Sequence, residues 1–450
     1  MDELRVSVSG IRGKVGSSFT PESVSKWITA YGTWLGGGKV AVGADSRTSN
    51  EMMRAVCNGA LLATGCEVID LGVLPTPSLG VAVRTLGMAG GISITASHNP
   101  IEWNGLKFFT ATGTVLNAPL FEQLLTVYNS EKRNYVGWAG FKKPSVLADP
   151  CKTHLDAVLN MSVLDVSGIQ QRKFRVAVDC FHGAGGELIP RLLQELGCEV
   201  FLRGCEMDGL FEGDPEPRTE NLKNLGALVR DNNCAFGAAV DPDADRLALV
   251  DENGKPVTEE LTLALAVKLV TRHRKGDVVA NLSTSMVTSD AATQNDCRFH
   301  RSKIGEINVV DMMHEVDAII GGEGNGGVIY PEVHYGRDAL TGIAMILQLL
   351  SEDNTTMREQ KNSLPDYYLH KQKLPMDDVD LAALSDSLKN EFSDWHFDTR
   401  DGYHVSKPNQ WFQLRASNTE PVIRLFVEAG SRDLALEMAE HITGIIKSSR

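Results

Sequence analysis

The chain contains the stretch Lys39-Val-Ala-Val-Gly43, and after a helical segment it continues with Gly65-Cys-Glu-Val-Ile69. The same pattern returns as Arg175-Val-Ala-Val-Asp179, followed by Gly197-Cys-Glu-Val-Phe201. Short β-branched runs that alternate with amphipathic helical segments are typical of α/β sheets with mainly parallel strands. The repeat therefore predicts that one α/β unit is used more than once along the chain.

Each copy then reaches a third short strand that ends in an unusual polar loop. A more diverged third copy runs through Asp277-Val-Val-Ala-Asn281 and Asp317-Ala-Ile-Ile-Gly321. The three loops are Thr95-Ala-Ser-His-Asn-Pro100, Asp241-Pro-Asp-Ala-Asp-Arg246 and Gly322-Glu-Gly-Asn-Gly-Gly327. Because ligands of open α/β sheets bind beyond the carboxyl ends of the strands, these loops are the first candidates for chemistry.

Beyond about residue 365 the alternation changes. Two strand-like runs, Trp411-Phe-Gln-Leu-Arg415 and Val422-Ile-Arg-Leu-Phe-Val427, flank the loop Ala416-Ser-Asn-Thr-Glu-Pro421. A final segment with one apolar helical face follows them. This pattern predicts a small α+β domain at the C-terminal end.

The composition is that of an ordinary globular chain. Of its 450 residues 42% are hydrophobic and 23% charged, and the length predicts about three or four domains. The net charge of −14 argues against a nucleic-acid partner or an anionic membrane, since both favour a basic face. The chain shows no secretory signal, membrane-spanning run, Cys-x-x-Cys pair or histidine spacing typical of metal ligands. We therefore expect a cytoplasmic protein with reduced thiols.

The acidic loop carries the strongest sign of chemistry. Asp241, Asp243 and Asp245 alternate, so their carboxylates can converge on one point, where a hard cation such as magnesium would offset their repulsion. The spacing also fits an EF-hand loop that ends at Glu252, but the sixth position, which is glycine in such loops, is Arg246. A phosphatase with the first aspartate as its nucleophile would also carry such a loop, and so would a plain solvated acidic turn.

Ser97 is a candidate nucleophile. It follows a strand and precedes His98, Asn99 and Pro100, a set of residues that also favours a plain turn. Lys107 lies ten residues further on, within reach as a proton-transfer partner, although a lysine on such a strand is also compatible with a surface charge. The presence of both residues favours the nucleophile over the turn.

The glycine loop formally matches G-x-G-x-x-G. A dinucleotide site would need a helix directly after this loop, but Val328-Ile-Tyr-Pro331 is strand-like and then broken by proline. Glu323 and Asn325 are instead candidates for binding sugar hydroxyls, although a plain tight turn would also explain the pattern.

Further cations surround the C-terminal loop and the N-terminal end of the chain. Guanidinium, hydroxyl and amide groups on a turn can hold a phosphate, although a solvated β-turn can have the same composition. The residues in question are Arg415, Ser417, Asn418, Thr419 and Arg424. Arg12 and Arg47 are candidates for cations of a functional site, although either could be only a surface charge.

Together these motifs resemble the α-D-phosphohexomutase superfamily, and the resemblance covers essentially the whole chain. The loops around Ser97, Asp241, Glu323 and Arg415 occur in that family's order and at similar spacing. The resemblance implies an α/β fold of four domains around a central cleft, with three repeated mixed-sheet domains and a C-terminal α+β domain. It places them at residues 1–150, 151–252, 253–365 and 366–450.

The resemblance also implies a role for each candidate residue. The catalytic residues would be Ser97 as the phosphoserine, Lys107, Arg12 and His98. The ligands of one Mg²⁺ per chain would be Ser97 through its phosphate, Asp241, Asp243 and Asp245. The substrate-binding residues would be Arg246, Lys303, Gly305, Glu306, Glu323, Asn325, Arg415, Ser417, Asn418, Thr419 and Arg424.

The activity that the resemblance implies is a phosphohexomutase. It would move a phosphoryl group between O6 and O1 of a hexose phosphate through a phosphoserine and a bisphosphate, with a hexose 1,6-bisphosphate as activator. Much of the family carries Glu-x-Ser-Gly-His at the sugar loop, whereas this chain has Glu323-Gly-Asn-Gly-Gly327. That variant looks like the loop of archaeal-type phosphoglucosamine mutases and of some relatives that act on glucose or mannose phosphates. We expect glucosamine 6-phosphate as the substrate, with a phosphomannomutase or phosphoglucomutase as the alternative.

Two other functions compete with a mutase. A metal-dependent sugar phosphatase would use the same serine and aspartate loops but would not need a second phosphate cradle around Arg415. A catalytically silent sugar-phosphate sensor would tolerate the loss of Ser97 or Lys107, and both are present. We expect the protein to be a monomer or a homodimer.

Overall fold

Four sheets follow one another along the chain. The computed structural model describes residues 4–376, 381–416 and 422–449. Within these residues the sheets have seven, five, four and five strands. The α/β repeat and the C-terminal α+β domain agree with the predicted fold class.

The first sheet contains the first copy of the repeat. Its strands are β1 (Arg5–Ser7), β2 (Gly10–Lys14), β3 (Gly38–Ala44), β4 (Cys66–Val73), β5 (Gly90–Ile94), β6 (Trp103–Phe109) and β7 (Ser145–Val146). Its helices are α1 (Pro21–Leu35), α2 (Asn50–Ala63), α3 (Thr76–Thr85) and α4 (Ala118–Ser130), with a 3₁₀ turn at Trp138–Gly140. The strand order is β1-β2-β6-β5-β3-β4-β7. α1 begins at Pro21 because Thr20 caps it and proline fits its first turn.

The second sheet contains the second copy. Its strands are β8 (Arg175–Asp179), β9 (Glu199–Arg203), β10 (Phe236–Val240), β11 (Leu247–Asp251) and β12 (Pro256–Val257), in the order β12-β11-β10-β8-β9. Its helices are α5 (Lys152–Leu159), α6 (Val166–Arg172), α7 (Leu188–Glu195) and α8 (Lys223–Asp231), with 3₁₀ turns at Ala184–Gly186 and Thr219–Asn221. Because β12 pairs with β11, this sheet continues past residue 252. The four predicted domain boundaries themselves stay predictions.

The third sheet is the diverged copy. Its strands are β13 (Asp277–Asn281), β14 (Arg298–Ser302), β15 (Ile320–Glu323) and β16 (Gly327–Ile329), in the order β14-β13-β15-β16. Its helices are α9 (Glu259–His273), α10 (Met286–Thr293), α11 (Glu306–Val316), α12 (Ala339–Asp353) and α13 (Met357–Asn362). The second and third domains share one hydrophobic cluster, which also includes Val81 of the first domain and extends to Leu364.

The C-terminal domain has a core of its own. Its elements are β17 (Tyr368–Pro375), α14 (Leu381–Glu391), β18 (His396–Asp398), β19 (Tyr403–Lys407), β20 (Gln410–Ala416), β21 (Val422–Ala429) and α15 (Arg432–Ser448). The strand order is β17-β21-β20-β19-β18, and all neighbours are antiparallel. Its hydrophobic cluster extends from Leu374 to Ile446 and is separate from the clusters of the first three domains.

The three polar loops lie inside antiparallel hairpins. The third strand of each copy runs parallel to its inner neighbour, but its other edge pairs antiparallel with the next strand: β5 with β6, β10 with β11 and β15 with β16. The sheets are therefore mixed, and the expectation of mainly parallel strands holds only for one side of each sheet, which ends in the parallel edge strands β7, β9 and β14. Strand β11 after the acidic loop excludes the EF-hand, and β16 after the glycine loop confirms that it does not open a helix.

No helix among the described residues is long and apolar enough to cross a membrane. The eight cysteines are all free thiols, and five of them are buried.

Candidate active site

A cleft of about 420 Å³ lies where all four domains meet. Arg12 of the first domain, Arg246 of the second, Glu323 of the third and Arg415 of the C-terminal domain all line it. Among the described residues, its lining has seven Lys and Arg side chains against four Glu. In a chain with a net charge of −14, such a local excess of cations suits an anionic ligand.

The serine loop places Ser97 in a strained conformation. The residue has a φ of 50°, in the left-handed region that non-glycine residues rarely adopt. Its hydroxyl donates a hydrogen bond to Asp241 Oδ2 at 2.8 Å and lies 3.3 Å from His98 Nδ1. The backbone N–H of Ser97 donates to Thr95 Oγ1. The loop thus directs the predicted nucleophile at the acidic loop of the next domain.

Arg47 holds the serine loop from behind. It is 2% exposed, so it is neither a surface charge nor a member of the cleft lining. Its guanidinium is paired with Asp45 at 3.1 Å. It donates to four backbone carbonyls, those of Ser97, Asn99, Pro100 and Trp103, at 2.6–2.8 Å. A buried arginine with this many acceptors fixes the loop that carries Ser97.

The acidic loop brings three buried carboxylates to one point. One oxygen from each of Asp241, Asp243 and Asp245 lies within 4.8 Å of the others. The Oδ1 atoms of Asp243 and Asp245 are buried and, among the described residues, have no hydrogen-bond partner. Unpartnered buried carboxylate oxygens are costly, and oxygen ligands are what Mg²⁺ prefers. The three residues therefore fit a divalent cation.

Lys107 offsets part of this negative charge. Its Nζ lies 2.6 Å from Asp243 Oδ2 and 3.0 Å from Asp245 Oδ2. Burial acts to lower the pKa of Lys107, but the two aspartates outweigh it and raise that pKa above its ordinary value. Burial raises the pKa of Asp241 well above its usual range, and Asp245 and Asp243 act in the same direction. Lys107, on β6 of the first domain, is therefore a cation that pairs with two carboxylates of the acidic loop.

His98 differs from Lys107 in its charge. Burial lowers the pKa of His98 well below its ordinary value, and the positive charges of Arg246 and Arg12 act in the same direction. The imidazole is therefore neutral at pH 7. A neutral imidazole close to a hydroxyl is suited to accept a proton.

Glu323 lies at the end of β15 and is 4% exposed. Its Oε1 accepts from Asn281 Nδ2 at 2.7 Å and from the backbone N–H of Gly305 at 3.2 Å. Its Oε2 accepts from Arg337 Nη1 at 2.8 Å and from Asn325 Nδ2 at 3.4 Å. The glycine loop thus presents a carboxylate whose orientation is set by hydrogen bonds.

The structure brings most of the remaining predicted residues to the cleft. Arg12 donates to Asn99 Oδ1 at 2.8 Å, Arg246 to Glu216 Oε1 at 2.8 Å, and Arg415 lies 2.8 Å from Asp401 Oδ1. Gly305, Glu306, Asn325 and Arg424 also line the cleft. Lys303 is exposed and lies outside this set. Ser417, Asn418 and Thr419 lie outside the described residues.

The sequence does not reveal two features of the structure. Arg337, between β16 and α12, contacts both Asp245 and Glu323. Away from the cleft, His154, His334 and Asp338 form a second buried group of possible metal ligands. These three residues come from distant segments, so the spacing of histidines along the chain could not reveal them.

The whole chain matches the domains of one family. Residues 4–134, 152–254 and 258–368 match the phosphoglucomutase/phosphomannomutase alpha/beta/alpha domains I, II and III, and residues 371–445 match the C-terminal domain. The chain belongs to the phosphoglucomutase/phosphomannomutase family. It is thus a phosphohexomutase, an isomerase whose substrates are hexose phosphates.

Individual members of the phosphoglucomutase/phosphomannomutase family are similar to this chain over nearly its full length. A probable phosphoglucosamine mutase of Methanopyrus kandleri is 34% identical over 98% of this chain and 97% of its own. A phosphoglucomutase/phosphomannomutase of Thermococcus kodakarensis is 36% identical over 96% of each chain. The crystal structure of a family protein from Burkholderia thailandensis has a TM-score of 0.85 at 24% identity, covering 99% of this chain and 98% of that one. This last likeness confirms the predicted fold.

Proposed function

We propose that this phosphohexomutase interconverts glucosamine 6-phosphate and glucosamine 1-phosphate, with Ser97 as the residue that carries the phosphoryl group. The observation that carries the proposal is the position of the Ser97 hydroxyl. It points from one domain at the carboxylates of the next, beside a cleft rich in cations. A phosphoryl group on this oxygen would lie where charge can be neutralised on several sides.

The proposed transfer is a balanced exchange. The bond between phosphorus and Ser97 Oγ breaks, a bond between phosphorus and a hydroxyl oxygen of the sugar forms, and the hydroxyl proton passes by way of a base to Ser97 Oγ, which becomes a serine hydroxyl again. His98 is the proposed base, since its imidazole is neutral and lies near the serine oxygen. The other phosphate of the resulting bisphosphate then returns to Ser97 by the reverse reaction.

Asp241, Asp243 and Asp245 are the proposed ligands of one Mg²⁺. When bound, the ion would supply positive charge for the transferring phosphoryl group. Lys107 and Arg12 add fixed positive charge on the protein side. The raised pKa of Lys107 supports charge stabilisation rather than proton transfer as its role.

Recognition of the hexose phosphate is proposed for two groups of residues that line the cleft. Glu323 and Asn325 would accept and donate hydrogen bonds at the sugar hydroxyls. Arg415 and Arg424 would hold the phosphate that is not reacting, as would the predicted Ser417, Asn418 and Thr419. Arg246, Gly305 and Glu306 also line the cleft. One phosphate site can serve both directions of the reaction because the bisphosphate turns over between them.

The choice of glucosamine rests on the loop Glu323-Gly-Asn-Gly-Gly327 and on the similarity to the M. kandleri protein. Because the T. kodakarensis relative is named a phosphoglucomutase/phosphomannomutase, the sugar needs a direct test. Coupled assays of the purified protein with Mg²⁺ and glucose 1,6-bisphosphate should compare glucosamine, glucose and mannose phosphates. We expect the highest kcat/KM for the glucosamine phosphates. A higher kcat/KM for mannose 1-phosphate would overturn this choice.

The same assays separate a mutase from a phosphatase. A mutase conserves the phosphoryl group, so isomerisation should proceed with little release of inorganic phosphate. Stoichiometric phosphate release without isomerisation would identify a sugar phosphatase instead.

A further inference from the structure

Arg337 occupies a position between the two loops to which metal and sugar binding are proposed. It directly precedes Asp338, which caps α12. Its Nη2 donates to Asp245 Oδ2 at 2.7 Å, and its Nη1 donates to Glu323 Oε2 at 2.8 Å. Arg337 is 8% exposed. One guanidinium therefore bridges a carboxylate of the second domain and a carboxylate of the third.

The backbone holds Arg337 firmly in this position. Its N–H donates to Glu306 Oε1 at 2.9 Å, and the N–H of Asp338 donates to the carbonyl of Val328 at 2.9 Å. Glu306 Oε2 also lies 3.6 Å from Arg337 Nε. Arg337 is thus surrounded by three carboxylates, and its planar fork matches two of them at once.

Gly327 makes room for this side chain. It lies on β16 opposite Glu323. A Cβ atom at position 327 would lie 2.8 Å from Arg337 Cγ and closer still to Cδ, well inside van der Waals contact. The φ of Gly327 is not in the left-handed region, so glycine is required here for space rather than for backbone conformation. The position of the Arg337 side chain therefore depends on the absence of a side chain at residue 327.

We propose that Arg337 is a positioning residue that couples the acidic loop to the sugar loop. This inference rests on the proposed function of both loops. A cation held through the Oδ1 of Asp245, which has no hydrogen-bond partner among the described residues, would draw negative charge away from the guanidinium, and the hydrogen bond from Arg337 to Glu323 would then strengthen. Binding of Mg²⁺ thereby orders Glu323 for the hydroxyls of the hexose, and hexose binding strengthens Mg²⁺ binding by the same factor.

The test is a binding experiment that does not depend on turnover. In a Ser97→Ala background, calorimetry measures the affinity for glucosamine 6-phosphate with and without Mg²⁺, and the affinity for Mg²⁺ with and without the sugar phosphate. We expect Mg²⁺ to tighten sugar-phosphate binding, and Arg337→Met to weaken that binding by roughly 10–100-fold and to abolish the Mg²⁺ effect. Arg337→Lys should restore part of the affinity, because it returns the charge without the two-point contact.

Gly327→Ala provides an independent variant that leaves every charged group in place. The added methyl group displaces the Arg337 side chain, so Gly327→Ala should reproduce the loss of coupling seen with Arg337→Met. Matched controls are Gly59→Ala, where a Cβ meets nothing within 4 Å, and Arg358→Met at an exposed position. Both controls should bind as the parent does.

The outcomes separate this inference from the proposed function. If the parent binds glucosamine 6-phosphate but Arg337→Met or Gly327→Ala retains the full Mg²⁺ effect, the coupling role is wrong and the proposed function stands. A parent in which Mg²⁺ leaves sugar-phosphate affinity unchanged also overturns the coupling. A parent that binds no hexose phosphate at all overturns both proposals. If Arg337→Met fails to fold, by circular dichroism, Gly327→Ala and Arg337→Lys decide the result.

Discussion

The hairpin β10–β11 and the hairpin β15–β16 have the same topology but carry different chemistry. In both, a buried strand runs parallel to its inner neighbour and turns back into an antiparallel strand. The first turn holds three carboxylates that need cations around them, whereas the second holds one carboxylate among glycines. The shared fold therefore fixes where each loop lies, and the loop sequence alone decides what it can bind.

The comparison predicts that substitutions in the acidic loop and in the sugar loop impair different properties of the enzyme. Damage to the acidic loop should appear in the dependence on Mg²⁺ and in kcat. Damage to the sugar loop should appear in the affinity for the hexose phosphate. Changes at buried groups outside the cleft, such as His334, should alter folding stability alone.

The largest effect is expected at the acidic loop. Asp243→Asn should lower kcat by roughly 10²-fold or more, because it removes a proposed Mg²⁺ ligand. The fold should survive, since the amide oxygen can still accept from Thr76 Oγ1 and Lys107 keeps Asp245 as its partner. Activity measured against Mg²⁺ concentration, with circular dichroism for folding, tests this expectation.

Asp231→Asn is the matched control for this change, because Asp231 is exposed on α8. It should leave activity unchanged. An Asp243→Asn protein as fast as the parent, or full parental activity in excess chelator, would show that the acidic loop holds no essential metal.

A smaller effect is expected at the sugar loop. Glu323→Gln should lower kcat/KM for glucosamine 6-phosphate by about 10–100-fold, since a hydrogen bond to a charged group contributes about 1.5–3 kcal/mol. Most of the change should lie in KM, and the Mg²⁺ concentration for half-maximal activity should change less than in Asp243→Asn. Steady-state kinetics at several Mg²⁺ concentrations separates the two.

Glu315→Gln, at an exposed position of α11, is the control for the sugar loop. If Glu323→Gln shows an unchanged KM, Glu323 does not bind the sugar, and the difference between the two hairpins lies elsewhere.

The smallest effect, a change in folding stability with pH, is expected at His334, a buried residue between β16 and α12. Burial lowers the pKa of His334 to about 3. The negative charge of Asp338 acts to raise this pKa, whereas His154 and Arg84 act to lower it further. The unfolded chain binds a proton below about pH 6.5, but the folded protein does so only near pH 3. Stability should therefore fall as the pH falls through this range, by up to about 1.4 kcal/mol per pH unit for this one proton.

His334→Gln should reduce that slope in chemical denaturation measured between pH 6.5 and 4, and His396→Gln, at an exposed position, should not. Equal slopes in the parent and in His334→Gln would mean that His334 is protonated in the folded protein. Activity at pH 7 should be unchanged, since His334 lies outside the cleft lining.

The sequence predicts much of this architecture because the repeat is visible in the strands themselves. The pattern at Lys39–Gly43 returns at Arg175–Asp179. Each of these two segments is the first of the parallel strands in its sheet. The antiparallel partner that follows each third strand was less visible. Its residues, such as Trp103–Phe109, lie beyond a polar loop, and alternation alone does not give strand direction.

The candidate site was partly predictable for a similar reason. Ser97 and the acidic loop follow strands directly, so topology brings them together. Arg337 carries no such signal, because its position depends on the space that Gly327 leaves across the sheet. Arg47 could not be assigned from the sequence, since only the fold shows that it is surrounded by backbone carbonyls.

The central claim, that Ser97 carries the phosphoryl group, is tested most directly by peptide mass spectrometry after incubation with glucose 1,6-bisphosphate. We expect one added phosphoryl group on the peptide that contains Ser97, and its loss on addition of glucosamine 6-phosphate. Ser97→Ala should show neither the label nor isomerisation, whereas Ser145→Ala, at an exposed position, should show both. A label on another residue, or a Ser97→Ala protein that isomerises hexose phosphates at a near-parental rate, would contradict this role of Ser97.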